Sequence, residues 1–323
     1  MILVTGATGR VGGYLISSLI SKNEEVRVLA RRTSGLYPLK DNVDVVYGDI
    51  VDKRSLRNAV KDVSVIYHLA AVVDYLTPKR EMYSVNVAGT KNLLDVSLNE
   101  DIEHFIYCSS VAVMGNIENP PANEEYVCHP FGNYGKSKYE GEKISLDYYK
   151  KENLPVTIIR PAIVYGVGFY DSFDKVLPIL KNRMIPIIPV IGSGKNLIHF
   201  VHVKDVVKAL ILAAKERKSV GEVYIIAGNE VHTLESVLDI AVEIMKVKKP
   251  KVHIPISLAK LVVMMEKSKL IFGMKPEFTG EHIDNLVMDM AYDITKAKKE
   301  LGYKPEIDLK SGISEIVNWL NLI

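Results

Sequence analysis

"MILVTGATGRVGGYL", residues 1–15, decides how the rest of the chain is read. A short apolar run ends at Thr5. A glycine triplet follows, Gly6-x-x-Gly9-x-x-Gly12, and then a segment of helical character over 10–22. Glycines at a strand-to-helix junction let the backbone turn tightly and approach a pyrophosphate. The helix N-terminus then offers free N–H groups and partial positive charge to the same anion. Glycines can also serve only close helix–strand packing, so the surrounding pattern has to distinguish the two. Here the triplet heads a series of β-α units, the context a dinucleotide site requires.

Those units follow in order. Apolar runs rich in Val and Ile stand at 1–5, 25–30, 43–47, 63–69, 104–110 and 155–160. Between them lie helical stretches at 10–22, 52–60, 79–99 and 133–151. The last two carry Val85, Leu93, Leu94 and Val96, and Tyr139, Ile144 and Tyr148, at helical spacing. Strands apolar on both faces, alternating with helices, predict a parallel sheet covered on both sides. After residue 165 the rhythm breaks into a Pro/Gly-rich stretch. A strand at 198–202 leads into a helix at about 203–217, and "GEVYIIAG" reads as one more strand of the main sheet. The expectation is an α/β fold: a Rossmann-type doubly wound parallel sheet with a smaller, mostly helical C-terminal substrate lobe. Residues 1–165 form the dinucleotide-binding domain, 199–228 return to it, and 166–323 form the lobe.

Composition narrows the function. Of 323 residues, 48% are hydrophobic and 25% charged, with a net charge of +2, an ordinary globular balance. Basic residues are scattered among acids, which argues against nucleic acid. No apolar run reaches the length of a membrane span, and Met1 runs straight into the first strand without a charged leader, so no signal peptide is expected. Cys108 and Cys128 suggest neither a disulfide framework nor a metal site; Cys108 reads as a strand residue. The expectation is a reduced, cytoplasmic protein acting on a small molecule.

A second motif adds chemistry. In "YGKSK" (134–138), Tyr134 and Lys138 share one helical face. A nearby ammonium favours the phenolate and is expected to lower the tyrosine's pKa, so that Tyr134 can pass a proton to or from a carbonyl or hydroxyl oxygen. "CSSVAVMG" (108–115) supplies two hydroxyls, Ser109 and Ser110.

Together these motifs resemble the extended branch of the short-chain dehydrogenase/reductase superfamily, of the NAD(P)-dependent epimerase/dehydratase type. The resemblance covers nearly the whole chain. "YGDI", "HLAA", "NVAGTKNLL", "RPAIVYG", "FVHVKDVVKA" and "AYDITKAKKELGYKP" appear in the family's order. It implies Ser110, Tyr134 and Lys138 as catalytic residues, with Ser109 as the alternative hydroxyl, because the family's serine lies five residues before the glycine that is Gly115 here. Met114 stands where the family usually has tyrosine. The resemblance implies cofactor contacts from Gly6, Thr8, Gly9, Arg10, Val11, Gly12, Asp49, Ile50, Leu69, Ala70, Ala71 and Pro161, with Lys138 on the nicotinamide ribose. Asn86 reads most simply as a capping or network amide. The family also implies a homodimer built on the helices at 79–99 and 133–151.

Two questions stay open within the family. NAD-specific members carry an acid at the end of the second strand; here Ala30 is followed by Arg31 and Arg32, cations that suit a 2′-phosphate. NADP is therefore expected, with NAD as the alternative. The wording is closest to dihydroflavonol-reductase- and 3β-hydroxysteroid-dehydrogenase-like proteins and to sugar-epimerase-like proteins found near hopanoid genes. Nucleotide-sugar enzymes carry an arginine that clamps the substrate diphosphate just before "FIHV". Ile198 and His199 occupy the arginine and aspartate positions here, although Arg183 could substitute. His199 and His202 read as hydrogen-bonded strand residues. A reductase or dehydrogenase is expected, with a nucleotide-sugar epimerase or dehydratase holding NAD tightly as the alternative.

Overall fold

The computed structural model describes residues 1–35, 39–169, 173, 177–178, 180, 190–249, 252–267 and 279–321. Its centre is a seven-stranded parallel sheet in the order β10-β6-β5-β4-β1-β2-β3. The strands are β1 Ile2–Thr5, β2 Val26–Ala30, β3 Asp44–Tyr47, β4 Val65–His68, β5 His104–Cys108, β6 Val156–Pro161 and β10 Val223–Ile226. Parallel strands need both faces covered, and successive residues deliver that. Leu3 packs with Ile66, Phe105 and Val156 on one face, while Val4 packs with Val28, Ile106 and Ile159 on the other.

Helices α1 (Arg10–Ile20) and α6 (Val203–Lys215) close the second face; α2 (Lys53–Val60), α4 (Thr90–Ser97) and α5 (Gly132–Glu152) close the first. The helix expected over 79–99 divides into α3 (Lys79–Tyr83), a wider π turn at Ser84–Gly89, and α4. Such turns are often found at functional sites.

Helix α5 departs from the periodicity reading. Tyr139, Ile144 and Tyr148 are only half-buried, and the face turned to the sheet is Gly135, Ser137, Lys138, Gly141, Glu142 and Ser145. Small residues there permit a closer approach than an apolar stripe would. A Cβ on Gly141 would collide with the Tyr107 hydroxyl. The buried Glu142 is answered by Arg160 through two hydrogen bonds of 2.9 and 2.7 Å.

"GEVYIIAG" does join the main sheet: β10 pairs with β6 from Val223↔Ile158 to Ile226↔Pro161. On its outer side the Ile225 amide donates to Glu124 at 2.9 Å. The strand at Leu197–His202 (β9) lies elsewhere, in a three-stranded sheet between β7 (Ile163–Tyr165) and β11 (Val231–Thr233). The return to the main sheet is thus made by α6 and β10. Beyond it come α7 (Leu234–Met245), α8 (Ile256–Lys267), α9 (Gly280–Val287), α10 (Thr295–Leu301) and α11 (Leu309–Trp319). A two-stranded pair, β8 (Val190–Ile191) with β12 (His253–Ile254), adds sheet to what reads from sequence as mostly helix. Tyr165, Leu177, Val237, Ile313 and Val317 form a separate core for this part of the chain.

Candidate active site

All the strands of the main sheet are parallel, so their carboxyl ends share one edge. Ligands of such sheets bind along that edge, where the chain order reverses; here this is between β1 and β4. The loop after β1 carries Gly6 at φ +73°. A Cβ there would stand 2.7 Å from the Leu69 carbonyl carbon and the Ala70 nitrogen. A Cβ on Gly12 would overlap the Gly6 carbonyl oxygen. The glycines therefore do two things at once. They let α1 start against the loop, and they let the loop lie on the 69–70 backbone. Thr8 and Gly9 are exposed, and Arg10 and Val11 half-buried, in the same turn. Arg10 stacks on Phe169, 5.4 Å from the ring centre.

The other expected cofactor residues stand at neighbouring strand ends. Leu69, Ala70 and Ala71 follow β4, and Pro161 ends β6. Arg31 and Arg32 leave β2 exposed, with Arg32 over the Tyr47 ring at 5.3 Å. Asp49 follows β3 and accepts from the Val51 amide at 3.1 Å, which makes it a turn residue whatever else it binds. Ile50 is buried against Gly89.

The candidate catalytic groups come from β5 and α5. Ser110 begins a short 3₁₀ turn and its Oγ accepts from the Ala112 amide at 3.2 Å. Ser110 also stands close enough to Tyr134 to favour its phenolate. Ser109 differs: its Oγ is buried without a hydrogen-bond partner. The two serines left open by the sequence are thus distinguished by their contacts. Lys138 is 2% exposed, with its Nζ 4.3 Å from the centre of the Tyr107 ring.

Electrostatics run against one expectation. Burial pushes the Tyr134 phenol up, with Cys108 and Tyr75 adding to it and only Ser110 opposing. Lys138 is not among the groups that shift the phenol; the lysine is itself desolvated, and burial lowers its pKa to about 8, against the pull of Cys108 and Glu142. Burial likewise raises the Cys108 thiol, as befits a strand residue rather than a nucleophile.

Several participants were invisible in the sequence. The Tyr75 ring meets Tyr134 edge-on at 6.3 Å and His282 at 5.0 Å, bringing α9 over the site. Glu281, beside Gly132 at the start of α5, has a buried Oε2 without a hydrogen-bond partner. No local signal connects residues this far apart. Asn86, read as a network amide, is one: its Oδ1 accepts from the Val72 amide at 2.7 Å, and its Nδ2 donates to the Val72 carbonyl and the Ser137 hydroxyl, both at 2.9 Å. His199 and His202 lie outside the cluster. His199 bonds the Gly228 carbonyl through Nε2 at 3.0 Å, and the His202 ring accepts from the Lys204 amide at 3.3 Å. Burial lowers both to about 4. Arg183 falls outside the described residues.

A family model described as the NAD dependent epimerase/dehydratase family matches residues 2–227. The chain is 32% identical to a putative UDP-glucose 4-epimerase of Methanocaldococcus jannaschii, over 99% of this chain and 98% of that one. It is 29% identical to a putative dihydroflavonol 4-reductase of Synechocystis, over 98% and 93%. Among solved structures, gox2253 superposes with a TM-score of 0.82 at 30% identity, covering 99% and 98% of the two chains. Relatives named for both chemistries therefore match nearly the whole of this chain, and the chain belongs to the NAD-dependent epimerase/dehydratase family of the extended short-chain dehydrogenases/reductases.

Proposed function

We propose that the protein is an NAD(P)-dependent reductase or dehydrogenase that interconverts a ketone and a secondary alcohol, with Ser110, Tyr134 and Lys138 as its catalytic residues. The observation that carries this reading is their convergence: Ser110 beside Tyr134 and acting on its ionisation, with Lys138 buried one helical turn further along α5. The glycine loop, closed on the 69–70 backbone, fits a dinucleotide phosphate, and Gly6, Thr8, Gly9, Arg10, Val11 and Gly12 would hold it there. When bound, the dinucleotide supplies or accepts the hydride.

The chain's own groups handle the proton. The Ser110 Oγ accepts from a backbone amide, and its one proton can be directed either at the Tyr134 oxygen or at a substrate oxygen. Tyr134 gives that oxygen a proton in reduction and takes one in oxidation. A phenol pushed up by burial is a reluctant acid, and the counter-charge it needs is Lys138. An ammonium poised near pH 8 stabilises the phenolate as it forms and can return a proton afterwards. Cofactor preference is assigned to NADP on the Ala30-Arg31-Arg32 strand end.

Substrate class is argued from charge. Ile198, at the position of the diphosphate-clamping arginine, is 4% exposed. A carboxylate oxygen of Glu281 lies buried without a partner next to the start of α5. Both disfavour a diphosphate and suit an uncharged ketone or alcohol. The second reading, a nucleotide-sugar epimerase or dehydratase, is favoured by the 32% identity to a putative UDP-glucose 4-epimerase. We further assign the protein to the reduced cytoplasm as a homodimer built on α3–α5.

Tyr134→Phe tests the mechanism. It should leave dinucleotide affinity unchanged and lower kcat by at least about a hundredfold, the scale of general acid–base loss. Near wild-type turnover of a ketone or nucleotide-sugar panel by this variant would overturn the assignment.

A further inference from the structure

Thr5 and His68 are register partners on adjacent strands, outside the Ser110–Tyr134–Lys138 cluster. Yet His68 is 1% exposed and both of its ring nitrogens are used. Nδ1 lies 2.7 Å from the Thr5 hydroxyl, and Nε2 lies 2.9 Å from the Thr90 hydroxyl. A buried histidine with two hydroxyl partners is an unusual expense for strand packing alone, so the direction of each bond matters.

The directions are fixed by the neighbours. The Thr90 hydroxyl donates its one proton to the backbone carbonyl of Asn86 at 2.7 Å; towards His68 it can only accept. Nε2 therefore carries the imidazole proton, and Nδ1 accepts from Thr5. The Thr5 hydroxyl in turn accepts from the Ala70 amide at 3.3 Å. On the far side, Asn86 Nδ2 donates to the Ser137 hydroxyl at 2.9 Å, which donates to the Tyr134 carbonyl at 2.8 Å. Every donor and acceptor along this run is consistent with one tautomer of one neutral ring.

We propose that His68 is a positioning residue that couples the glycine loop to the catalytic helix, acting through the run Ala70–Thr5–His68–Thr90–Asn86–Ser137–Tyr134. This rests on the dinucleotide reading above and deepens it. The run begins where Gly6 touches the 69–70 backbone and ends inside the turn that separates Tyr134 from Lys138. A dinucleotide seated on the loop thereby fixes the helix that must face it, and the helix fixes the loop. The neutral ring is also required by its surroundings. Burial, with Lys138 nearby, lowers His68 to about 3. Protonation would place a second cation beside Lys138 and remove the acceptor that Thr5 needs.

Ser137→Ala, measured in two backgrounds, tests the coupling. Both hydrogen bonds of the Ser137 hydroxyl belong to this run. The readout is the dissociation constant for NADPH and for NAD⁺, by fluorescence titration, which needs no substrate. In the wild-type background Ser137→Ala should weaken binding about three- to tenfold. In a His68→Leu background it should change binding less than about twofold, the scatter of distant, independent sites. Thr90→Val, nearly isosteric, breaks the run at its middle and replaces His68→Leu if that variant does not fold. An unchanged constant after Ser137→Ala, or an equal loss in both backgrounds, overturns the coupling while leaving the dinucleotide reading intact. A wild-type protein that binds neither dinucleotide overturns both.

Discussion

Lys138→Met should make the protein more stable while removing its turnover. The lysine is 2% exposed, and burial takes its pKa from 10.5 to about 8. At about 1.36 kcal/mol per pH unit, keeping the charged form inside the fold costs roughly 3 kcal/mol at neutral pH. Part of this is returned by the Tyr107 ring, since a desolvated cation–π contact contributes about 2 kcal/mol. Methionine retains contact with the same ring at about 0.3–1.5 kcal/mol. The net gain for Lys138→Met is then on the order of 1–3 kcal/mol. The pH dependence carries the sharper signature. A lysine depressed in the folded state binds fewer protons there than in the unfolded chain, so its penalty is relieved as pH rises from about 8 towards its unfolded value. Between about pH 7 and pH 9.5, below the ionisation of tyrosines in the unfolded chain, wild type should gain about 2 kcal/mol on Lys138→Met. Urea unfolding of both proteins without added dinucleotide, at several pH values in that window, measures it. Parallel stability–pH curves, or a variant less stable than wild type at pH 7, would refute the account of Lys138 as a desolvated, strained charge.

The remaining expectations concern binding and assembly. NADPH should bind roughly ten- to hundredfold more tightly than NADH, because one charge-assisted bond from Arg31 or Arg32 contributes about 1.5–3 kcal/mol. Arg31→Ala should reduce the preference; equal affinities in wild type would sink it, and a preparation arriving with NAD⁺ locked in place would shift weight to the epimerase reading. Sedimentation should give a dimer at micromolar concentration, the contact being α3–α5; a monomer there would count against the homodimer.

What the sequence disclosed, and what it withheld, follows from how each signal is encoded. The glycine turn, "YGKSK" and "CSSVAVMG" are contiguous, so their spacing alone places them at strand ends and on one helix face. The sheet was legible because each strand is apolar on both sides and each crossover is a helix. Helix α5 was misread at its faces because its buried side is made of Gly135, Lys138, Gly141 and Glu142, residues that a hydrophobicity pattern assigns to solvent. The sheet membership of β9 depends on pairing with β11 and β7, which no local pattern reports. The upward shift of Tyr134 depends on how much chain covers it, and the i, i+4 spacing to Lys138 carries no information about cover. No local signal marks His68, because its partners lie 63 and 22 residues away; only the parallel register of β1 and β4 brings Thr5 to it.

The late arrival of β10 has a consequence for how the molecule is made. A ribosome releases the glycine loop first and the Ser110–Tyr134–Lys138 segment well before residue 223. Until β10 emerges, β6 is the open margin of a sheet whose strands are rich in Val, Ile and aromatic residues, the kind of margin that recruits other chains. Glu124, which later caps the Ile225 amide, has by then been waiting for its partner through the synthesis of about a hundred residues. The candidate catalytic groups are thus encoded early, whereas the last strand of the sheet that carries them is encoded late.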